Sequence, residues 1–113
     1  MHEYSIVQAL LNQCEENADR HNAKRVLKVV TKIGILSGVE PHLLESAFNT
    51  FKEGTICEDA KFEMNIQKVV IFCRDCQRDF ELEELKLACP ECKTLNTAVV
   101  DGEDMYLMSL EME

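Results

Sequence analysis

The chain has 113 residues, of which 46% are hydrophobic and 29% are charged, a composition typical of one globular domain or of a domain with a small added module. Its formal net charge of −9 disfavours binding to nucleic acids and anionic membranes, because an acidic surface repels their phosphates. No apolar run approaches the roughly 18 residues of a membrane span, and the opening residues lack the features of a secretory signal. We therefore predict a cytoplasmic protein with no nucleic-acid partner and no membrane partner.

The first two predicted elements differ in the spacing of their apolar residues. Residues 5–20 repeat apolar side chains every three or four positions, which predicts an amphipathic helix. Ser5 and Gln8 fit a capping box at its start. Residues 25–36 alternate instead and are rich in β-branched side chains, which predicts a strand. One face of this strand would carry Leu27, Val29, Ile33 and Ile35.

A second helix is predicted to begin at Pro41. Proline favours the first position of a helix, Glu40 precedes it, and Gly54 closes the segment. The core face of this helix would carry Leu44, Ala47, Phe48 and Phe51.

Two further strands follow. Residues 61–67 alternate, with Phe62, Met64 and Ile66 on one face. Residues 105–112 are apolar at nearly every position, as expected of a strand packed between others. The last strand must rejoin the sheet after a cysteine-containing segment.

This order of elements predicts an α+β fold, with a three-stranded sheet, two helices on one of its faces and an inserted small zinc-ribbon-like domain. We expect the α+β domain to consist of residues 1–69 and 100–113. The inserted zinc-binding domain would consist of residues 70–99.

Four of the six cysteines form two C-x-x-C pairs that 12 residues separate. These are Cys73, Cys76, Cys89 and Cys92. This spacing lets four thiolates converge on one Zn²⁺ ion, whereas a redox dithiol would normally be a single pair beside a βαβ unit. Acidic residues outnumber basic ones between the pairs, which argues against a nucleic-acid ribbon. Because four thiolates leave no open position on zinc, we predict a structural site and not an enzyme.

The other two cysteines are predicted to have no metal role. Cys14 lies on the apolar face of the first helix, where a small buried thiol is expected. Cys57 lies in a predicted loop, where it can be exposed, and we assign it no function.

His2 can chelate a metal ion through its imidazole and its own deprotonated backbone amide. The amine of Met1 and the amide of Glu3 lie on either side of that amide, and nitrogen-rich sets of this kind favour Ni²⁺ or Cu²⁺. These donors cannot all lie in one plane beside the His2 amide. A square site therefore omits one of them or takes a donor from elsewhere. By itself, a single histidine specifies little.

Several motifs together resemble the HypA/HybF family of hydrogenase maturation nickel chaperones. They are M-H-E-Y-S at residues 1–5, I-G-x-x-S-G-V at 33–39, S-A-F at 46–48, and the late C-x-x-C and C-P-x-C pairs. The resemblance covers the whole chain. It implies a nickel-binding domain with an inserted zinc domain, and a nickel site built on Met1, His2 and Glu3. In relatives an acidic residue at the position of Glu40 has been linked to nickel, but the helix dipole favours the other role of Glu40, as an anion at a helix N-terminus.

The resemblance also implies the function and the partners. Such proteins deliver Ni²⁺ to the large subunit of [NiFe]-hydrogenase together with a nickel-handling maturation GTPase, and in some bacteria they also serve urease through its maturation proteins. Nickel would then be cargo and zinc a structural ion. The competing hypothesis is a zinc-stabilised protein–protein adaptor without metal transfer, in which His2 would have no role.

Overall fold

The computed structural model describes residues 2–113, and of His2 it describes the backbone alone. Along this range the elements are α1 (His2–Arg20), β1 (Val26–Gly34), α2 (Pro41–Phe51), β2 (Lys61–Gln67), β3 (Val70–Cys73), β4 (Arg78–Glu81), β5 (Thr97–Asp101) and β6 (Met105–Met112). The chain forms two compact units. The first comprises Met1–Lys32, Val39–Asn65 and Tyr106–Glu113, and the second comprises Ile33–Gly38 and Ile66–Met105. That residues 70–99 fold as a separate domain stays a prediction.

A three-stranded sheet in the order β2-β1-β6 accompanies the two helices, which confirms the predicted α+β class. Its central strand buries Val29, Thr31 and Ile33 on one face, while Lys28 and Lys32 on the other face are partly exposed. The buried hydroxyl of Thr31 donates a hydrogen bond to the carbonyl of Glu63, at 3.0 Å, so that it is satisfied inside the core. The sheet is therefore covered on one face only.

The helices bury apolar stripes with helical spacing. On α1 the stripe includes Val7, Leu11, Cys14 and Ala18. On α2 it includes Leu44 and Phe48, and the ring of Phe48 stacks on Phe62 of β2 with ring centroids 4.4 Å apart. Neither helix combines the length and apolar character that crossing a membrane requires, among the residues described.

The first residues of the two helices differ in how well the sequence predicts them. Glu40 is the N-cap of α2, and its carboxylate accepts a hydrogen bond from the backbone N–H of Leu43 at 2.7 Å. The expected start of α1 at Ser5 is wrong. The helix begins three residues earlier, at His2, because the apolar stripe extends back to Tyr4, whose ring contacts Phe51.

The strands differ from expectation at three points. β1 ends at Gly34, so Ile35 falls in the following turn and is exposed. Ile66 of β2 is exposed as well. β6 lies at the edge of its sheet and not between other strands, and it exposes Tyr106 and Met108. An apolar run does not require burial on both faces, because a sheet with one covered face leaves alternate side chains outside.

The second unit contains an antiparallel sheet in the order β4-β3-β5. Ile71 of β3 lies opposite Phe80 on one side and Val99 on the other. The buried core here consists of Val69, Ile71 and Leu82, against which Phe80 and Val99 pack. So small a core contributes little folding free energy compared with a full domain.

Gly34 and Gly102 pack closely within the second unit, so a larger side chain at Gly34 is expected to destabilise the fold. A Cβ at Gly34 would lie 2.4 Å from the carbonyl carbon and oxygen of Gly102. These are backbone atoms that cannot rotate away, so we expect Gly34→Ala to lower the free energy of unfolding by about 1–3 kcal/mol or more. Gly38→Ala is the control, since its φ of +79° strains alanine but its Cβ would meet open space. Denaturant unfolding of both variants measures the difference, and equal losses would contradict the clash.

Candidate metal centre

Two turns of the same geometry present the four cysteines of the second unit. The backbone N–H of Cys76 donates to the sulfur of Cys73 at 3.3 Å, and that of Cys92 donates to the sulfur of Cys89 at 3.4 Å. The residue after each pair then adopts a positive φ, +60° at Gln77 and +64° at Lys93.

Each of these residues also donates its N–H to the carbonyl of the first cysteine of its pair. The Gln77 bond to Cys73 is 2.8 Å long, and the Lys93 bond to Cys89 is 2.9 Å. N–H groups aimed at a sulfur stabilise its thiolate form. The two turns therefore share a backbone that suits metal-bound sulfur.

The sulfur atoms converge as ligands of one tetrahedral ion would. All four lie within 4.8 Å of one another. Cys73 and Cys92 are 3.6 Å apart, and Cys76 and Cys89 are 4.0 Å apart. A tetrahedron with metal–sulfur bonds of about 2.3 Å has edges of about 3.8 Å. The four cysteines thus form a group that could hold a metal ion.

The protonation chemistry of this group favours a cation. Hydrogen bonding to Cys92 is the main cause that raises the pKa of Cys76 to about 12. Four thiols so close together cannot all ionise unless a positive charge lies between them, since each thiolate repels the next. Beside the group, Arg78 lies opposite Cys73 and pairs with Glu91, which stands between Cys89 and Cys92. The positive charge of Arg78 is therefore already paired with a carboxylate.

Cys14 and Cys57 are not members of the four-cysteine group, and both belong to the first unit. Cys14 is buried as predicted. Cys57 lies in a turn after α2, as predicted, but it is fully buried, so its expected exposure is wrong. The hydrogen bond between the two thiols is the main cause of a raised pKa at Cys14 and a lowered pKa at Cys57. We assign them to the core.

The predicted nickel donors are placed only in part. Met1 and the side chain of His2 lie outside the described residues. Glu3 occupies the first turn of α1 and is partly buried. Glu40 lies before Pro41, at the opposite end of α2 from Phe51, which is the residue that Tyr4 contacts. Its carboxylate already caps α2, and its role as a nickel donor stays a prediction.

Sequence reasoning missed two features near these sites. The left-handed residues Gln77 and Lys93 carry no glycine signal, and only their position directly after a C-x-x-C pair could have indicated them. The place of Tyr4 on the apolar stripe of α1 could have been found from spacing, since Tyr4 stands three residues before Val7, but its contact with Phe51 could not.

The family model and the relatives described here match this chain over nearly its whole length. Residues 1–112 match the family model described as "Hydrogenase/urease nickel incorporation, metallochaperone, hypA". The hydrogenase maturation factor HypA of Aquifex aeolicus (strain VF5) is 58% identical over 113 residues, which cover 100% of this chain and 98% of the relative. The HypA of Shewanella sp. (strain MR-7) is 53% identical, covering 100% and 96%.

Two solved structures share the fold. The solution structure of the nickel metallochaperone HypA from Helicobacter pylori is 38% identical, with a TM-score of 0.72, and the match covers 97% of this chain and 96% of that one. A second HypA solution structure is also 38% identical, with a TM-score of 0.78 and coverage of 100% and 97%.

Proposed function

This chain belongs to the HypA family of hydrogenase and urease nickel-incorporation metallochaperones, and we propose that it binds Ni²⁺ through donors of Met1, His2 and Glu3 and delivers the ion to a maturing [NiFe]-hydrogenase. It is a metallochaperone and not an enzyme. The observation that carries the proposal is the family match over residues 1–112, a range that includes the three proposed donors.

The backbone at the start of α1 supports this nickel site. The first four N–H groups of a helix have no partner within the helix, and α1 begins at His2. The amides of His2 and Glu3 can therefore lose a proton to a metal without breaking a helical hydrogen bond. The positive end of the helix dipole repels a bare cation. Deprotonated amides and the Glu3 carboxylate would offset that repulsion.

Zinc in the four-cysteine group is the second part of the proposal. The donor set of four thiolates suits Zn²⁺, and the sulfur spacing fits a tetrahedral ion. With no open coordination position, the ion would be structural. Nickel prefers square-planar or octahedral surroundings with nitrogen and oxygen donors, so the two metals would occupy different sites.

The family description names both hydrogenase and urease as systems of nickel incorporation. We propose the hydrogenase large subunit as the recipient, because the curated relatives are named hydrogenase maturation factors. A nickel-handling GTPase would act with the chain, and urease maturation proteins would be further partners where urease is present. The adaptor hypothesis makes a different prediction, since an adaptor would not need nickel affinity at His2.

Nickel affinity is expected to fall in acid. Protons compete for an imidazole, with a reference pKa of about 6.5, and for an α-amine, with one of about 7.7–8.0. Both groups bind nickel only without their protons, so affinity should decrease as the pH is lowered from about 8 to about 6. Isothermal titration with Ni²⁺ across this range measures the slope. A flat profile would exclude these donors and favour carboxylates.

A further inference from the structure

The rings of Tyr4 and Phe51 meet edge to face, with centroids 4.6 Å apart and planes at 85°. Tyr4 lies in the first turn of α1, and Phe51 is the last residue of α2. Both side chains remain partly exposed, at 47% and 40%. Aromatic pairs in this arrangement attract each other by more than their buried area alone accounts for. The contact therefore links the start of one helix to the end of the other.

This pair continues the apolar stripes of both helices. Tyr4 precedes Val7 and Leu11 with spacings of three and four residues, and both of these are buried. Phe51 follows Leu44 and Phe48 with the same spacings, and both of these are buried as well. The two aromatic residues thus extend the packing between α1 and α2 out to the first turn of α1.

The first turn of a helix frays unless tertiary contacts hold it. In this chain the first turn contains His2 and Glu3, whose backbone amides are proposed nickel donors. If the turn frays, these amides sample many orientations, and nickel binding must order them at a cost in affinity. A turn that is already fixed avoids most of this cost, as preorganised sites do.

We infer that Tyr4 and Phe51 are positioning residues for nickel binding, which hold the first turn of α1 in the conformation that the metal requires. This inference rests on the proposed nickel site. Neither ring is a ligand in it. The contact acts before the metal arrives, by raising the fraction of chains whose amides are in place.

The test compares nickel affinities by isothermal titration with Ni²⁺ alone. Tyr4→Ala and Phe51→Ala should each weaken nickel binding by about twofold to tenfold, the range that corresponds to the loss of one aromatic pair. The double variant should lose little more than either single variant, because both remove the same contact. Tyr4→Phe keeps the ring and should bind as the wild type does. Tyr106→Ala is the matched control, since Tyr106 is another tyrosine of similar exposure, 46%. This variant should bind nickel with the wild-type affinity.

Two further readouts separate positioning from ligation and from general destabilisation. At saturating nickel, Tyr4→Ala should show the wild-type absorption spectrum, because its donors are unchanged. Without nickel, the amides of residues 6–8, whose helical hydrogen bonds end on the carbonyls of residues 2–4, should exchange hydrogen faster than in the wild type, while the zinc content stays the same. A changed spectrum, or equal loss of affinity in Tyr4→Phe, would make the phenol a ligand and overturn the inference.

The inference and the proposed function fail in different ways. If His2→Ala loses nickel while Tyr4→Ala binds within twofold of the wild type, the nickel site stands and the positioning role is wrong. If His2→Ala binds nickel normally, the proposed site itself is wrong, whatever the Tyr4 variants do.

Discussion

His2→Ala is expected to abolish specific nickel binding and to leave the zinc content unchanged. The substitution removes the imidazole, the one side-chain nitrogen of the proposed site, and with it the chelate ring that anchors the His2 amide. The donors that remain, the Met1 amine and those of Glu3, form a weaker set for Ni²⁺ than one that includes the imidazole. The four cysteines lie in the other compact unit, so their ion should not respond. Isothermal titration with Ni²⁺ and elemental analysis for zinc measure the two effects.

Two control variants test whether the loss of nickel binding is specific to the donors of the N-terminal site. His21→Ala removes a histidine at the far end of α1, where its Nδ1 is hydrogen-bonded to the carbonyl of Asn17. This variant should bind nickel as the wild type does. An extension of a few residues before Met1 turns the terminal amine into a weak amide donor, and it should weaken binding without abolishing it. If His2→Ala bound as tightly as the wild type, the next donors to test would be Glu40 and its neighbour His42, the second residue of α2.

Cys73→Ser is expected to release zinc and to unfold residues 70–99. Apparent zinc-binding free energies of about 10–16 kcal/mol hold small four-ligand modules folded, and the buried core here has only Val69, Ile71 and Leu82 at its centre. The expected signature is loss of zinc together with rapid proteolysis between residues 70 and 99. The helical circular dichroism should persist, because α1 and α2 both belong to the other unit.

Cys14→Ala is the matched control for a cysteine outside the four-cysteine group, and it should retain a full complement of zinc. Cys92→Ser should reproduce Cys73→Ser, since both belong to the group. Collapse of the whole chain in the Cys73 variant, seen as loss of the helical signal, would contradict the prediction that residues 70–99 form a separate inserted domain.

Much of the first unit could be predicted because its signals are local. Periodicity indicated both helices and two of the three sheet strands, and Pro41 marked the start of α2 to the residue. The start of α1 could not be predicted from a capping pattern, because it depends on Phe51, a residue 47 positions after Tyr4 in the sequence. Tertiary contact there outweighed the local signal at Ser5.

The strands of the second unit were harder to predict from the sequence than those of the first. Its strands are four or five residues long, and β4 (R-D-F-E) has one apolar residue, so no alternation distinguishes it from a loop. The spacing of the cysteines nevertheless indicated their convergence. The two turns that orient their sulfurs depend on left-handed residues of ordinary type, Gln77 and Lys93, which sequence alone does not mark.

X-ray absorption at the zinc and nickel edges of one sample, loaded with one equivalent of nickel and purified without a tag, tests the two-site account most directly. We predict four sulfur neighbours at about 2.3 Å around zinc, and only nitrogen and oxygen neighbours around nickel. In His2→Ala the zinc spectrum should be unchanged and the nickel spectrum should become that of the hydrated ion. A shell of sulfur around nickel in the wild-type protein would place nickel among the cysteines and contradict the account.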